Sequence, residues 1–329
     1  MDTKIVVITG ASAGIGRATA VAFGRLGWRV ALLARGIEGL EGAQRDVERA
    51  GGAAMVIPTD VADHAQVEAA AERIEHEWGA IDVWVNNAMA TIFCDIVDIV
   101  PEDFRRATEV TYLGAVWGTQ AALKRMKPRN RGTIVQIGSA LAYRSIPLQA
   151  PYCGAKSALR GFTDSLRSEL IHAKSDVHVT MVHLAAFNTP QFDIARNCLP
   201  KRAKPVGRVF QPELAAEAIV RASRERRREW WVGMPAVEAI LGTRVIPGLL
   251  DHKLAHDAYD GQQSDQLKPR AQPDNLHAPV PGDHGAHGRF DDRASAWSAQ
   301  YWASAHRRGL ALGLCVMVGA AALAARFRR

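Results

Sequence analysis

Tyr152 and Lys156 stand four residues apart in PYCGAK, on one face of any helix that begins there. Pro151, just before them, suits such a start. A free tyrosine loses its proton at a pKa of about 10. A neighbouring ammonium favours the phenolate and pulls that value down. The pair is then a proton donor and acceptor usable near neutral pH. Ser139 lies thirteen residues upstream, where its hydroxyl can hydrogen-bond an oxygen on which charge develops. A second group is TGASAGIG, residues 9–16. Glycine allows close backbone approach there, and the free N–H groups of a helix start attract phosphate. A glycine-rich turn alone is weak evidence, but this one follows an apolar run, KIVVIT, and opens a helical pattern.

These residues need elements to hold them. KIVVIT (4–9), RVALLA (29–34), AAMVIP (53–58), IDVWVNNA (81–88), GTIVQIGS (132–139), VHVTMVHL (177–184) and EWWVG (229–233) read as strands. Helical patterns cover about 14–26, 38–50, 64–78, 101–127, 152–173 and 213–225. The alternation predicts an α/β fold, a parallel sheet with helices on both faces and right-handed crossovers. Strand order is not readable from it. Residues 190–212 are irregular and carry four prolines, as a lid or binding loop does. Residues 260–292 are rich in Asp, Gly, Gln, Pro and His, which predicts a linker or a wrapped arm over 261–308.

The motifs fall in a set order: TGASAGIG after the first strand, Asp60-Val61 after the third, NNA (86–88) ending the fourth, Ser139 ending the fifth, YCGAK (152–156) opening the next helix. This combination resembles the short-chain dehydrogenase/reductase family over about residues 3–250. The resemblance implies a Rossmann-type, doubly wound parallel sheet over 1–260 and an oxidoreductase acting on a carbonyl/alcohol pair. The hydride chemistry belongs to a nicotinamide cofactor. It implies Tyr152 as general acid/base, Ser139 as its partner and Lys156 as a second ligand of the nicotinamide ribose. Carried over position by position, cofactor contacts fall on Gly10, Ser12, Gly14, Ile15, Gly16, Asp60, Val61, Asn87, Ala88, Tyr152, Lys156 and, against the carboxamide, Thr189.

NAD-preferring members place an acid at the end of the second strand, where this chain has Ala34-Arg35. A guanidinium pairs well with a 2′-phosphate. NADP(H) is therefore the expected cofactor, held by Arg35 with Ser12 as helper. Three positions depart from the family pattern. Met89 follows NNA where glycine is usual, and Ala185-Ala186 stand in place of Pro-Gly. Thr111 replaces the asparagine whose ordered water passes protons to the lysine, a relay the threonine hydroxyl is expected to serve.

The net charge of +7 is concentrated at the end of the chain. Residues 301–329 hold Arg307, Arg308, Arg326, Arg328 and Arg329 and no acid, and without those five the rest carries +2. A nucleic-acid binder needs its basic patch on the folded body, so no nucleic-acid partner is expected. Cys94, Cys153, Cys198 and Cys315 form no CxxC or metal spacing and read as free thiols in a reducing compartment. His284 and His287 lack a third ligand, so no metal is expected. The N-terminus shows no export signal, which keeps the expected body in the cytoplasm.

Gly309–Ala325 is different in kind: seventeen residues without charge, flanked by arginines. As a helix it spans about 25 Å, the short end of a bilayer crossing. GLALG has the small-residue spacing of membrane helices, and Trp297, Tyr301 and Trp302 precede it as an aromatic belt does. The expectation is a C-terminal membrane anchor with the body facing the cytoplasm and a lipophilic small-molecule substrate. Docking of the tail on a neighbouring subunit is the alternative, and the resemblance implies a homo-oligomer. A membrane-attached NADP(H) sensor or scaffold without turnover is the second functional reading. A sugar-nucleotide epimerase or dehydratase is disfavoured by the glycine spacing and the short body.

Overall fold

A computed structural model describes residues 3–307 together with 309, 310 and 317. Seven strands form one sheet: β1 Ile5–Thr9, β2 Arg29–Ala34, β3 Ala53–Pro58, β4 Val83–Asn86, β5 Thr133–Ser139, β6 His178–Leu184 and β7 Glu229–Val232. Their order is β7-β6-β5-β4-β1-β2-β3, all parallel. The order reverses between β1 and β4, the switch point at which such sheets open a crevice outside their carboxyl ends.

Alternate residues of each strand face opposite layers, which is why the strands read as unbroken apolar runs. On one face Val6, Ile8, Val30, Leu32, Val83 and Val85 pack against α1 (Gly14–Gly24), α2 (Ile37–Arg49) and the later α7 (Pro212–Ala222). On the other, Ile5, Val7, Ala31, Leu33, Trp84 and Ile134 pack against α3 (His64–Trp78) and the helices of 101–126 and 150–172. Asp63 caps α3 by accepting from the Ala65 and Gln66 amides.

The long helix expected over 101–127 is interrupted. It runs as α4 (Pro101–Thr108), a π-helical turn over Glu109–Leu113, and α5 (Gly114–Met126). α6 (Ala150–His172) carries Pro151 in its first turn, as expected. The fourth strand is shorter than its apolar run, because Asn87 and Ala88 leave the ladder to meet the glycine turn.

After β7 come α8 (Met234–Val245) and α9 (Pro247–Gly261). The remaining chain wraps the body as an arm. Gln263–Leu267 pairs with Lys201–Ala203, Ala294–Ser295 pairs with Val209–Phe210, and α10 (Ala299–Ala305) packs by Tyr301 into the sheet core. Between these, Leu276 is fully buried and Phe290 nearly so. The apolar run 309–325 lies outside the described residues except for Gly309, Leu310 and Met317. Among the described residues no helix is long and apolar enough to cross a membrane.

Candidate active site

The glycine turn and NNA form one hydrogen-bonded unit at the switch point. Thr9, the last residue of β1, accepts from the amides of Asn87 and Ala88, both at 3.0 Å. Asn87 returns the contact from Nδ2 to the Thr9 and Gly10 carbonyls, at 2.9 and 3.2 Å. Gly10 and Gly14 have φ of +66° and +57°, the left-handed region that glycine occupies without strain. A Cβ at Gly16 would stand 2.1 Å from the Gly10 carbonyl oxygen, so that glycine serves closeness of turn and helix.

Above this unit lies a cleft with a cavity volume of about 210 Å³, open to solvent on one side. Of the predicted cofactor residues, Gly10, Ser12, Gly14, Ile15, Arg35, Asp60, Val61, Asn87, Ala88 and Thr189 line it, whereas Gly16 packs behind. Met89 lines it too, so the bulkier residue after NNA forms part of the floor. The residues present fit a dinucleotide: a helix N-terminus at one end and an acid and a guanidinium at the other.

Arg35 is not a free surface cation. Its guanidinium donates to the carbonyls of Asn275 and, at 3.2 Å, Leu276, both in the arm. Burial and then the nearby charge of Arg106 lower its pKa. Arg106 pairs with Asp60 and donates to the Leu276 carbonyl at 3.1 Å.

Ser139 ends β5, the neighbour of β4 in the sheet, and Tyr152 and Lys156 sit in the first two turns of α6; none of the three is among the residues lining the cleft. The Ser139 oxygen accepts from the Leu141 amide at 3.0 Å, which leaves its O–H to donate elsewhere. Lys156 is 2% exposed. Its Nζ donates to the Ile137 carbonyl at 2.6 Å and lies 5.6 Å from the centre of the Tyr152 ring. The expected depression of the tyrosine is not what this environment produces. Burial pushes Tyr152 up to about 12, opposed by the Ser139 side chain. Burial brings Lys156 down to about 8. Desolvation outweighs attraction at this site, because both groups are taken out of water. At neutral pH the phenol is a proton donor.

Thr111 lies fully buried in the π-helical turn. Its hydroxyl donates to the Ala90 carbonyl and accepts from the Ala90 amide, each at 2.9 Å. With its one proton spent on the Ala90 carbonyl, the hydroxyl has none left to donate to a relay water. It is a positioning residue that ties the chain after NNA to the helix.

The cysteine reading is also corrected. Cys94 and Cys198 form a disulfide with Cα atoms 5.0 Å apart. It sits beside the short parallel pair Ile92–Phe93 with Arg196–Asn197, and so joins the segment after NNA to the loop after β6. The ground for inferring a reducing compartment from free thiols is thereby removed. Cys153 is free and buried, and Cys315 lies outside the described residues. His284 and His287 do not converge: the first meets the Val280 carbonyl, the second Glu213 and Asp291.

Loop, arm and disulfide segment share a small apolar cluster of Phe93, Leu148, Phe192, Leu199 and Phe290. Sequence reasoning missed two further groups. Arg17, inside α1, is buried and bridges Asp46 and Asp283 of the arm. His183 on β6 is fully buried against the Ser139 carbonyl at 3.3 Å and faces Glu229 at 3.7 Å. Burial, opposed by Glu229, holds this histidine below its ordinary range and favours the neutral ring. Both arise from packing between distant segments and leave no local pattern.

The short chain dehydrogenase family profile matches residues 4–197. An uncharacterized oxidoreductase of Bacillus subtilis, YxnA, is 31% identical over 99% of this chain and 91% of its own length. Human dehydrogenase/reductase SDR family member 7 is 37% identical, over 52% of this chain and 51% of its own. An alcohol dehydrogenase from the archaeon Thermococcus sibiricus, solved with 5-hydroxy-NADP, superposes with a TM-score of 0.61 at 27% identity. It covers 70% of this chain and 96% of its own. The chain belongs to the short-chain dehydrogenase/reductase family of NAD(P)-dependent oxidoreductases.

Proposed function

We propose that the chain is an NADP(H)-dependent oxidoreductase that interconverts a carbonyl and an alcohol on a lipophilic substrate, with Tyr152 as the proton-transferring group. The observation that carries this reading is Ser139, Tyr152 and Lys156 gathered beside a dinucleotide cleft whose far end holds a guanidinium and no ribose-binding acid on β2. The bound nicotinamide supplies or accepts the hydride. The chain does the rest. Tyr152, held neutral, gives its proton to the substrate oxygen in the reducing direction. Ser139 donates to the same oxygen as its charge grows. The Lys156 ammonium stands beside the phenolate left behind, and its remaining N–H groups are free for ribose hydroxyls.

A lipophilic substrate is the reading that the uncharged run 309–325 raises, as the partner of a membrane-held enzyme. A rat relative named 17-beta-hydroxysteroid dehydrogenase 13, 34% identical over 51% of this chain, points the same way. The uncharged run 309–325 supports attachment to a membrane, with the body on the cytoplasmic side. Recovery of the full chain in the soluble fraction without detergent contradicts the attachment.

The test is NADPH oxidation against a panel of lipophilic ketones, aldehydes, steroids and quinones. Turnover with at least one is expected, and tight NADPH binding with no turnover across the panel supports the sensor reading instead. Arg35→Asp tests the cofactor choice. It is expected to lower the NADPH-over-NADH affinity ratio at least tenfold, and an unchanged ratio removes Arg35 from the 2′-phosphate site.

A further inference from the structure

The cleft has a wall that does not come from the nucleotide-binding half of the chain. Asn275, Pro279, Val280, Gly282 and His284 line it opposite the glycine turn and Arg35. The arm meets the body in a fixed sequence. Asn275 and Leu276 give their carbonyls to Arg35, beside Asp60 and Arg106. Pro279 lies against Gly36, where a Cβ would meet it at 3.3 Å. The Gly282 amide donates to Glu38. Asp283 pairs with Arg17, and the Gly285 carbonyl accepts from the Gly14 amide at 3.0 Å. These body partners run from the corner of Asp60, past the end of β2, to the start of α1. That is the course of the adenosine and pyrophosphate half of a dinucleotide on this fold.

We propose that residues 275–285 are part of the cofactor site, a strap that closes over the adenosine-phosphate half and through which the cofactor must enter and leave. The inference rests on the NADP(H) reading above. With the strap in place a cavity of about 210 Å³ remains beneath it, and the strap's Gly285 carbonyl holds the Gly14 amide, so the strap must shift as the phosphates seat. It is anchored at both ends, by Leu276 in the core and by Phe290, whose amide donates to Asn188 Oδ1 at 3.0 Å. Between the anchors its contacts to the body are mostly polar, and Pro279 and Pro281 stiffen it. Arg35 uses two of its five N–H donors on the strap and keeps the others for a phosphate. His284 is placed beside the turn that binds phosphate.

Asp283 holds the middle of the strap without lining the cleft, and Arg17 keeps Asp46 when Asp283 is changed. The full-length Asp283→Asn variant therefore folds and loosens the strap. NADPH dissociation is followed by its fluorescence in a stopped-flow instrument, for both proteins. Hydrogen exchange of the peptide 274–288 is followed with and without NADPH. A dissociation rate at least tenfold higher in the variant, with NADPH slowing exchange of 274–288 in the natural sequence, is the expected result. NADPH that binds with the same dissociation rate in both proteins and leaves exchange of 274–288 unchanged overturns the strap and leaves the cofactor reading standing. Faster exchange of 274–288 on binding also overturns it, because the arm would then be a plug that the cofactor expels. Failure of the natural sequence to bind NADPH at all overturns the strap together with the cofactor reading.

Discussion

Lys156 and Tyr152 spend stability on function in opposite pH ranges. Burial lowers the lysine from 10.5 to about 8. Between those values the unfolded chain holds a proton that the folded chain has released, so stability rises with pH across that window. Tyr152, raised from 10.0 to about 12, does the reverse: the folded chain keeps a proton the unfolded one loses, and stability falls as pH climbs through that range. Lys156→Met removes the first effect. At pH 7 its urea midpoint is expected to equal or exceed that of the natural sequence, with the advantage shrinking from pH 8 to 10. A midpoint difference that stays constant over that range contradicts a buried, depressed lysine. The chemistry of Ser139, Tyr152 and Lys156 was legible because residue type and spacing suffice to name a proton donor, its partner and a charge. The direction of the tyrosine shift was not, because it depends on how much water surrounds the pair.

At the scale of elements, periodicity carried most of the account. Each strand of the main sheet lies where an apolar run does, and β1 to α1 is continuous through the glycine turn. Gly16→Ala puts a methyl 2.1 Å from the Gly10 carbonyl, and the turn must move. A loss of about 1–3 kcal/mol in stability is expected, the usual cost of overpacking, with NADPH affinity lowered at least tenfold. Unchanged thermal stability and affinity contradict the close packing of turn and helix. The π-helical turn at Glu109–Leu113 left no mark in the pattern, because one extra residue in a turn scarcely alters an apolar period over that length. The Cys94–Cys198 link was equally hidden. The two residues are 104 apart, and only the short pairing of Ile92–Phe93 with Arg196–Asn197 brings them together. Protein purified without reductant and denatured should show two reactive thiols, and four after reduction. Four from the start contradicts the link.

Over the whole molecule, the body and the arm differ in how they announce themselves. The doubly wound sheet follows from alternation along the chain, and its reversal between β1 and β4 creates the crevice where the motifs converge. The arm has no such periodicity, since it is held by two short strand pairings and by scattered residues: Leu276, Phe290 and Tyr301 in apolar sockets, and Asp283 on Arg17. A polar composition told that it was not a core element but not where it lay. The proposed role of Tyr152 is to deliver the proton for hydride transfer at an otherwise complete cofactor site. Its most direct test measures kcat and NADPH affinity together for Tyr152→Phe with whichever substrate the panel yields. The kcat is expected to fall at least a hundredfold, within the range of about 10²–10⁴ for loss of a general acid, while NADPH affinity stays within about threefold, since the ring and Lys156 remain. A Tyr152→Phe protein that turns over at near the natural rate contradicts it.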